Sequence, residues 1–268
     1  MPEKLFGTDG IRGTANEGHL TPEIIVRIGK AIAQHFKEQN NGFKKIVIGK
    51  DTRLSGYMLE NALTSGIVSA GVDVLLVGPL PTPAIAHLTR SLNADAGIVL
   101  SASHNPAQDN GIKIFDSKGL KLSEKDEKNI EQIYSSNTYS KNTNGIGKAT
   151  RIDDARGRYI EFVKASISNE SLEGLFIVVD CANGAAYSMA ENIFSELGAK
   201  VICVNNKPNG LNINLDCGAM HPQTIMRLVK KSGADAGIAF DGDADRVVFC
   251  DEKGQLVHGD QAIGLFAL

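Results

Sequence analysis

"NADAGIVLSASHNP" spans residues 93–106 and "GADAGIAFDGDADR" spans residues 233–246. The same short apolar run leads once into a Ser-His-Asn-Pro turn and once into a loop of three alternating aspartates. A brief Val/Ile/Leu-rich run bounded by turn residues reads as a strand buried on both faces. Two more such runs precede each copy: "KKIVIGKD" and "VDVLLVG" before the first, "LFIVVDC" and "AKVICVN" before the second, with helix-length segments between them. The order is the same in both halves. "GVDVLLVG" from Gly71 answers "GAKVICVN" from Gly198, and Ala94 answers Ala234, 140 residues later. A period this long exceeds the roughly 20–50 residues of a solenoid unit, so the pattern predicts a duplicated domain. The expected fold is α/β: two tandem duplicated α/β domains with mostly parallel mixed sheets flanked by helices.

The polar stretch "EQIYSSNTYSKNTNGIGKATRIDDARG", residues 131–157, predicts a surface excursion and a boundary near 150, giving domains 1–150 and 151–256. Tyr159, Ile160, Val163 and Ile167 then recur at helical spacing, so a helix is expected to open the second half. The tail from Asp251 begins with a turn and runs into apolar residues. Residues 257–268 are expected to start a truncated third domain.

The formal net charge of −3 supplies no field that would draw the chain to nucleic acid or an anionic membrane. The opening "MPEKLFGTDG" lacks the apolar core of a secretory signal, and no apolar window approaches the ~18 residues of a membrane span. A cytoplasmic protein is expected. Cys181, Cys203, Cys217 and Cys250 are widely spaced without a CxxC pair, which signals neither zinc nor disulfides, and reduced, mostly buried thiols are expected.

Three loops carry the chemistry. In "DGDADR", Asp241, Asp243 and Asp245 alternate with small residues that let a tight loop aim several carboxylates at one point, a natural seat for a hard cation; the alternative is an acidic surface turn. An EF-hand is rejected, because Arg246 stands where that loop needs glycine and the flanks read as strands. Ser103 lies in a turn set by Asn105-Pro106, but no G-x-S-x-G surrounds it and His104 is not assignable as its base. Around Arg12, "FGTDGIRG" combines glycines that permit close backbone approach with a side chain able to grip phosphate; the bland reading is a solvated arginine in a turn. Asn110-Gly111 in "DNGIKIF" reads as a hairpin turn, with Lys113 on a strand face or with a functional role. "DTRLSG" puts Arg53 before a helix starting near Ser55, whose hydroxyl would cap it.

Taken in order, "FGTDGIRG", "DTRLSG", "SASHNP", "DNGIKIF" and "DGDADR" resemble the α-D-phosphohexomutase superfamily, and the opening is similar to its branch acting on glucosamine phosphates. The resemblance implies an intramolecular phosphotransferase that interconverts glucosamine 6-phosphate and glucosamine 1-phosphate through a covalent phosphate on Ser103 and a sugar bisphosphate that also acts as activator. It implies one Mg2+ held by Asp241, Asp243, Asp245 and the oxygen of Ser103. It also implies phosphate-facing roles for Arg12, Arg246 and Arg53, proton transfer by Lys113, and a catalytic neighbourhood for His104. The partner implied is a hexosamine phosphate, without nucleic acid or membrane, and a homodimer is compatible with it. Charge supports the set: three carboxylates and a phosphoserine bring about −5, which Mg2+ with Arg12, Lys113 and Arg246 would bring near neutrality. Superfamily members have four domains and this chain covers two with the start of a third, so alone it is expected to be inactive. The rival readings are a phosphomannomutase or phosphoglucomutase, a non-catalytic metal- or phosphate-binding fragment, and, more remotely, a serine hydrolase.

Overall fold

The structure is a computed structural model that describes residues 4–39, 44–139, 145–168 and 170–267; within the polar stretch read as a surface excursion, residues 140–144 lie outside the described residues. The chain divides into two compact units, one of residues 1–102 and 107–155, the other of residues 103–106 and 156–268.

The first unit contains β1 (Ile11–Thr14), α1 (Pro22–Gln39), β2 (Lys45–Lys50), α2 (Ser55–Ser69), β3 (Asp73–Pro79), α3 (Thr82–Ser91), β4 (Ala96–Leu100), β5 (Asp109–Asp116), α4 (Glu124–Ser136) and β6 (Ala149–Arg151). Its sheet runs β1-β5-β4-β2-β3-β6. β2 pairs in parallel with β3 and β4, β3 in parallel with β6, and β5 antiparallel to both β4 and β1. α5 (Ala155–Lys164) leads into the second unit, which continues with β7 (Phe176–Asp180), α6 (Ala190–Glu196), β8 (Lys200–Val204), α7 (Gln223–Ser232), β9 (Ala236–Phe240), β10 (Val247–Cys250), β11 (Leu256–Val257) and α8 (Gly259–Phe266). Its sheet runs β11-β10-β9-β7-β8, with β7 parallel to β8 and β9, and β10 antiparallel to β9 and β11. The inner order β5-β4-β2-β3 is therefore repeated as β10-β9-β7-β8, with pairing directions preserved. The duplicated α/β architecture read from the sequence is the one found.

The repeated A-D-A-G-I is explained by the sheet itself. Asp95 Oδ2 accepts from the Lys45 amide at the start of β2 (2.9 Å), and Asp235 Oδ2 accepts from the Phe176 amide at the start of β7 (2.7 Å). Each aspartate thereby satisfies the first amide of the central strand beside it. Each glycine makes room for a helix crossing the strand: a Cβ on Gly97 would lie 2.1 Å from Thr89 Oγ1 of α3, and one on Gly237 2.7 Å from both Ile225 and Val229 of α7. Both faces are covered, as parallel sheets require. Ile177 and Val179 of β7 join one apolar cluster while Val178 joins the other, the alternation a strand imposes.

Two local readings are corrected. Asn110-Gly111 is no hairpin turn: both residues lie inside β5, with Gly111 opposite Arg12 of β1. The backbones of Ile11 and Ser101 crowd Gly111 from both sides, so the position calls for glycine because of close strand approach. Ser55 does not cap α2 with its hydroxyl, and no side chain caps that helix; Ser55 Oγ instead accepts from Asn110 Nδ2 at 2.8 Å.

Candidate phosphoryl-transfer and metal site

The hairpin β9–β10 closes with Phe240 opposite Val247, which leaves residues 241–246 as its loop. The turn is tight: the Asp241 amide donates to the Arg246 carbonyl, the Ala244 amide donates to the Asp241 carbonyl, and Ala244 takes a left-handed backbone (φ 52°). Asp241 and Asp243 are buried and Asp245 is exposed, and one carboxylate oxygen from each comes within 4.8 Å of the others. Burial, then the charge of Asp243, pushes the Asp241 carboxyl above its ordinary range. Three convergent carboxylates with an all-oxygen donor set match what a hard divalent cation takes, and a cation there would relieve the burial and repulsion that disfavour ionised Asp241.

Residues 103–106 belong by their contacts to this second unit. Ser103 is buried with a left-handed backbone (φ 54°), uncommon for a residue bearing a Cβ and a form of strain that concentrates at functional sites. Its Oγ donates to Asp241 Oδ2 at 2.7 Å and accepts from Arg246 Nη2 at 2.6 Å. Arg246 Nη2 also donates to Asp241 Oδ2 at 2.9 Å and contacts His104 Nδ1, and its Nε pairs with Asp245 Oδ1 at 3.5 Å. A cationic fork thus sits on a serine oxygen beside a carboxylate cluster, an arrangement suited to an anionic group on that oxygen. Asn214, which sequence reasoning missed, holds the serine turn from below: its Nδ2 donates to the carbonyls of Ser103 (2.9 Å) and Asn105 (3.2 Å). Nothing in "NGLNINLDCG" distinguishes it from its neighbouring asparagines, because the bond spans more than a hundred residues.

In the first unit, Arg12 lies on β1, donates to the Ala102 carbonyl at 3.3 Å and pairs with Asp9. Lys113 stands half-buried on β5 opposite Val99. Arg53 requires a correction: it is fully buried, not phosphate-facing. Its Nε donates to Asp51 Oδ2 at 2.8 Å and its Nη1 to the Asp109 carbonyl at 3.0 Å, while Ser101 Oγ donates to the same Asp51 oxygen at 2.6 Å. Asp51 and the guanidinium together link the ends of β2, β4 and β5.

Residues 3–141 match the family model for phosphoglucomutase/phosphomannomutase, alpha/beta/alpha domain I, and residues 157–254 match the model for domain II. The chain belongs to the phosphoglucomutase/phosphomannomutase family. Among curated members of this family, the phosphoglucosamine mutase of Pelobacter propionicus is 56% identical over 99% of this chain and 59% of its own length. That of Paracoccus denitrificans is 54% identical over 100% and 60%. The chain thus spans about three-fifths of the length of these relatives. Among solved structures, a phosphoglucomutase/phosphomannomutase family protein from Burkholderia thailandensis superposes with a TM-score of 0.86 at 29% identity, covering 98% of this chain and 58% of that one. Among the described residues no helix is long and apolar enough to cross a membrane.

Proposed function

We propose that this chain is the phosphoserine- and metal-bearing part of a phosphoglucosamine mutase, interconverting glucosamine 6-phosphate and glucosamine 1-phosphate. The observation that carries the reading is Ser103 Oγ held between Asp241 (2.7 Å) and Arg246 (2.6 Å) at the edge of the aspartate cluster. The names of relatives at 54–56% identity support the sugar. In this reading Ser103 Oγ carries the phosphoryl group and passes it to the free hydroxyl of the sugar phosphate. The other phosphate of the resulting bisphosphate then returns to Ser103, so the phosphate count is restored at each turnover. Arg246 donates to the group on Ser103, and Asn214 fixes the serine backbone. Arg12 faces phosphate, Lys113 moves the hydroxyl proton, and His104 keeps Arg246 in place. Asp241, Asp243 and Asp245 would hold Mg2+ together with an oxygen on Ser103. When bound, that ion supplies charge stabilisation to phosphoryl transfer, a reaction that rests on positioning and electrostatics.

The domain division proposed is 1–150, 151–256, and 257–268 as the opening of a third domain, supported by outward-facing Ile263 and Leu265 on α8, 68% and 69% exposed. A cytoplasmic location and a role in amino-sugar precursor synthesis belong to the same proposal.

The test is mass mapping after incubation with glucosamine 1,6-bisphosphate and Mg2+. One phosphate on Ser103, absent in Ser103→Ala, is the expected result, with little sugar phosphate turnover by the 268 residues alone. An unmodified Ser103 would favour a non-catalytic metal- or phosphate-binding module.

A further inference from the structure

The four cysteines carry no pairing signal in the sequence, yet the fold brings two of them together. Cys181 follows directly on β7, and Cys203 lies in β8, where it stands opposite Val179. They are diagonal neighbours on one face of the parallel pair, and their sulfurs are 3.4 Å apart. The two environments are unequal. Cys181 is fully buried among Ile177, Val179, Ala186 and Ile238, whereas Cys203 is half-buried on the edge strand of the sheet, where a small oxidant can reach it.

We propose that Cys181 and Cys203 form a dithiol pair that hydrogen peroxide closes to a reversible disulfide. The Cys203 thiolate attacks a peroxide oxygen, the O–O bond breaks, and Cys203 becomes a sulfenic acid with release of hydroxide. Cys181 sulfur then attacks the Cys203 sulfur, the S–O bond breaks, and the hydroxyl leaves as water with the Cys181 proton. Overall two thiols and one peroxide give one disulfide and two waters. Bringing the sulfurs from 3.4 Å to the ~2.05 Å of the bond takes a shift of both side chains. The backbone at Cys181 stays tied to β8, its amide donating to the Val204 carbonyl at 3.1 Å, so the approach falls to the two side chains. The order of attack follows exposure: Cys203, half-buried on the edge strand, meets peroxide before Cys181, which is fully buried. Cys217 and Cys250 have other contacts, with Asn183 Nδ2 and the Asp251 carbonyl.

The experiment treats the reduced native protein with hydrogen peroxide, unfolds it in N-ethylmaleimide, and maps the digest by mass. The expected product is a peptide pair linked through Cys181 and Cys203, lighter by about 2 Da than the two free peptides and separated by dithiothreitol, with Cys217 and Cys250 alkylated. Cys181→Ser should leave a sulfenic acid on Cys203 that dimedone traps. Recovery of Cys181 and Cys203 as maleimide adducts after peroxide, a link through Cys217 or Cys250, or Cys203 carried on to sulfinic acid with Cys181 still alkylatable would each overturn the proposal.

Discussion

Neutralising Asp243 separates the two things the aspartate loop does to the protein. Asp243→Asn preserves shape and touches none of the bonds that link Ser103, Asp241 and Arg246. The three carboxylates bring oxygens within 4.8 Å of one another, where each like-charged pair costs roughly 3 kcal/mol at an effective dielectric of about 20. Removing one charge relieves two pairs. Lost attraction to Arg246, and the solvent that reaches Asp245 and Arg246 (side chains 32% and 47% exposed), reduce the gain. A net stabilisation of about 1–2 kcal/mol remains for the metal-free protein, or roughly 2–8 °C in Tm. Magnesium reverses the order. At a hundredfold excess over its Kd, a cation binding only the folded state adds about 2.7 kcal/mol to the wild type, and a site short of one carboxylate gains far less. Calorimetry in EDTA and then in excess Mg2+ should therefore show the variant unfolding later without metal and earlier with it. A variant less stable than wild type in EDTA, with the same magnesium-induced rise, would refute the reading of this loop as a cation site held open by mutual repulsion.

Three further outcomes follow from the same geometry. In metal-free protein the folded state holds the Asp241 proton more tightly than the unfolded chain does, because its folded pKa is raised above the ordinary 3.8. Stability should consequently rise as pH falls from above the folded pKa toward 3.8, and urea titrations across that window should lose the slope in Asp241→Asn. Asn214→Ala leaves the carbonyls of Ser103 and Asn105 without this donor, roughly 1 kcal/mol each, and should slow phosphorylation of Ser103 by a sugar bisphosphate about tenfold or more by timed mass analysis. Arg53→Lys puts a point charge where a buried fork spans Asp51 and the Asp109 carbonyl; urea unfolding should show a loss of about 3 kcal/mol, with Ser103 phosphorylation per folded molecule unchanged.

What the sequence made legible was what local chemistry dictates. Six strands could be read because each is a short apolar run bounded by turn signals, even β8, which lies at the edge of its sheet and is partly exposed, and the aspartate loop because its carboxylates alternate along one short stretch of chain. The failures came where a distant part of the chain overrides a local signal. Asn110-Gly111 has the composition of a turn, but β1 pairs against it from a hundred residues away and makes it strand. The resemblance implied a phosphate-facing Arg53, yet Asp51 and the Asp109 carbonyl close around its guanidinium. Asn214 and the Cys181–Cys203 pair exist as features only after folding, since neither spacing nor residue type marks them.

The duplication also says why a serine and an aspartate cluster should be found together. β4–β5 and β9–β10 are equivalent hairpins of the two copies, so the turn carrying Ser103 and the loop carrying Asp241 descend from one connection. The 140-residue offset that aligns Ala94 with Ala234 places Ser103 on Asp243 and Ser101 on Asp241. The strands below stayed alike because each must receive a crossing helix at its glycine and cap its neighbour with its aspartate, constraints that leave little freedom. The loops above carried no such constraint. One became a strained turn presenting a hydroxyl, the other a ring of carboxylates, and the bond from Ser103 Oγ to Asp241 Oδ2 joins the two. Either loop alone is a commonplace turn. Function at this site thus resides in the divergence of the two copies, while the fold resides in what they still share.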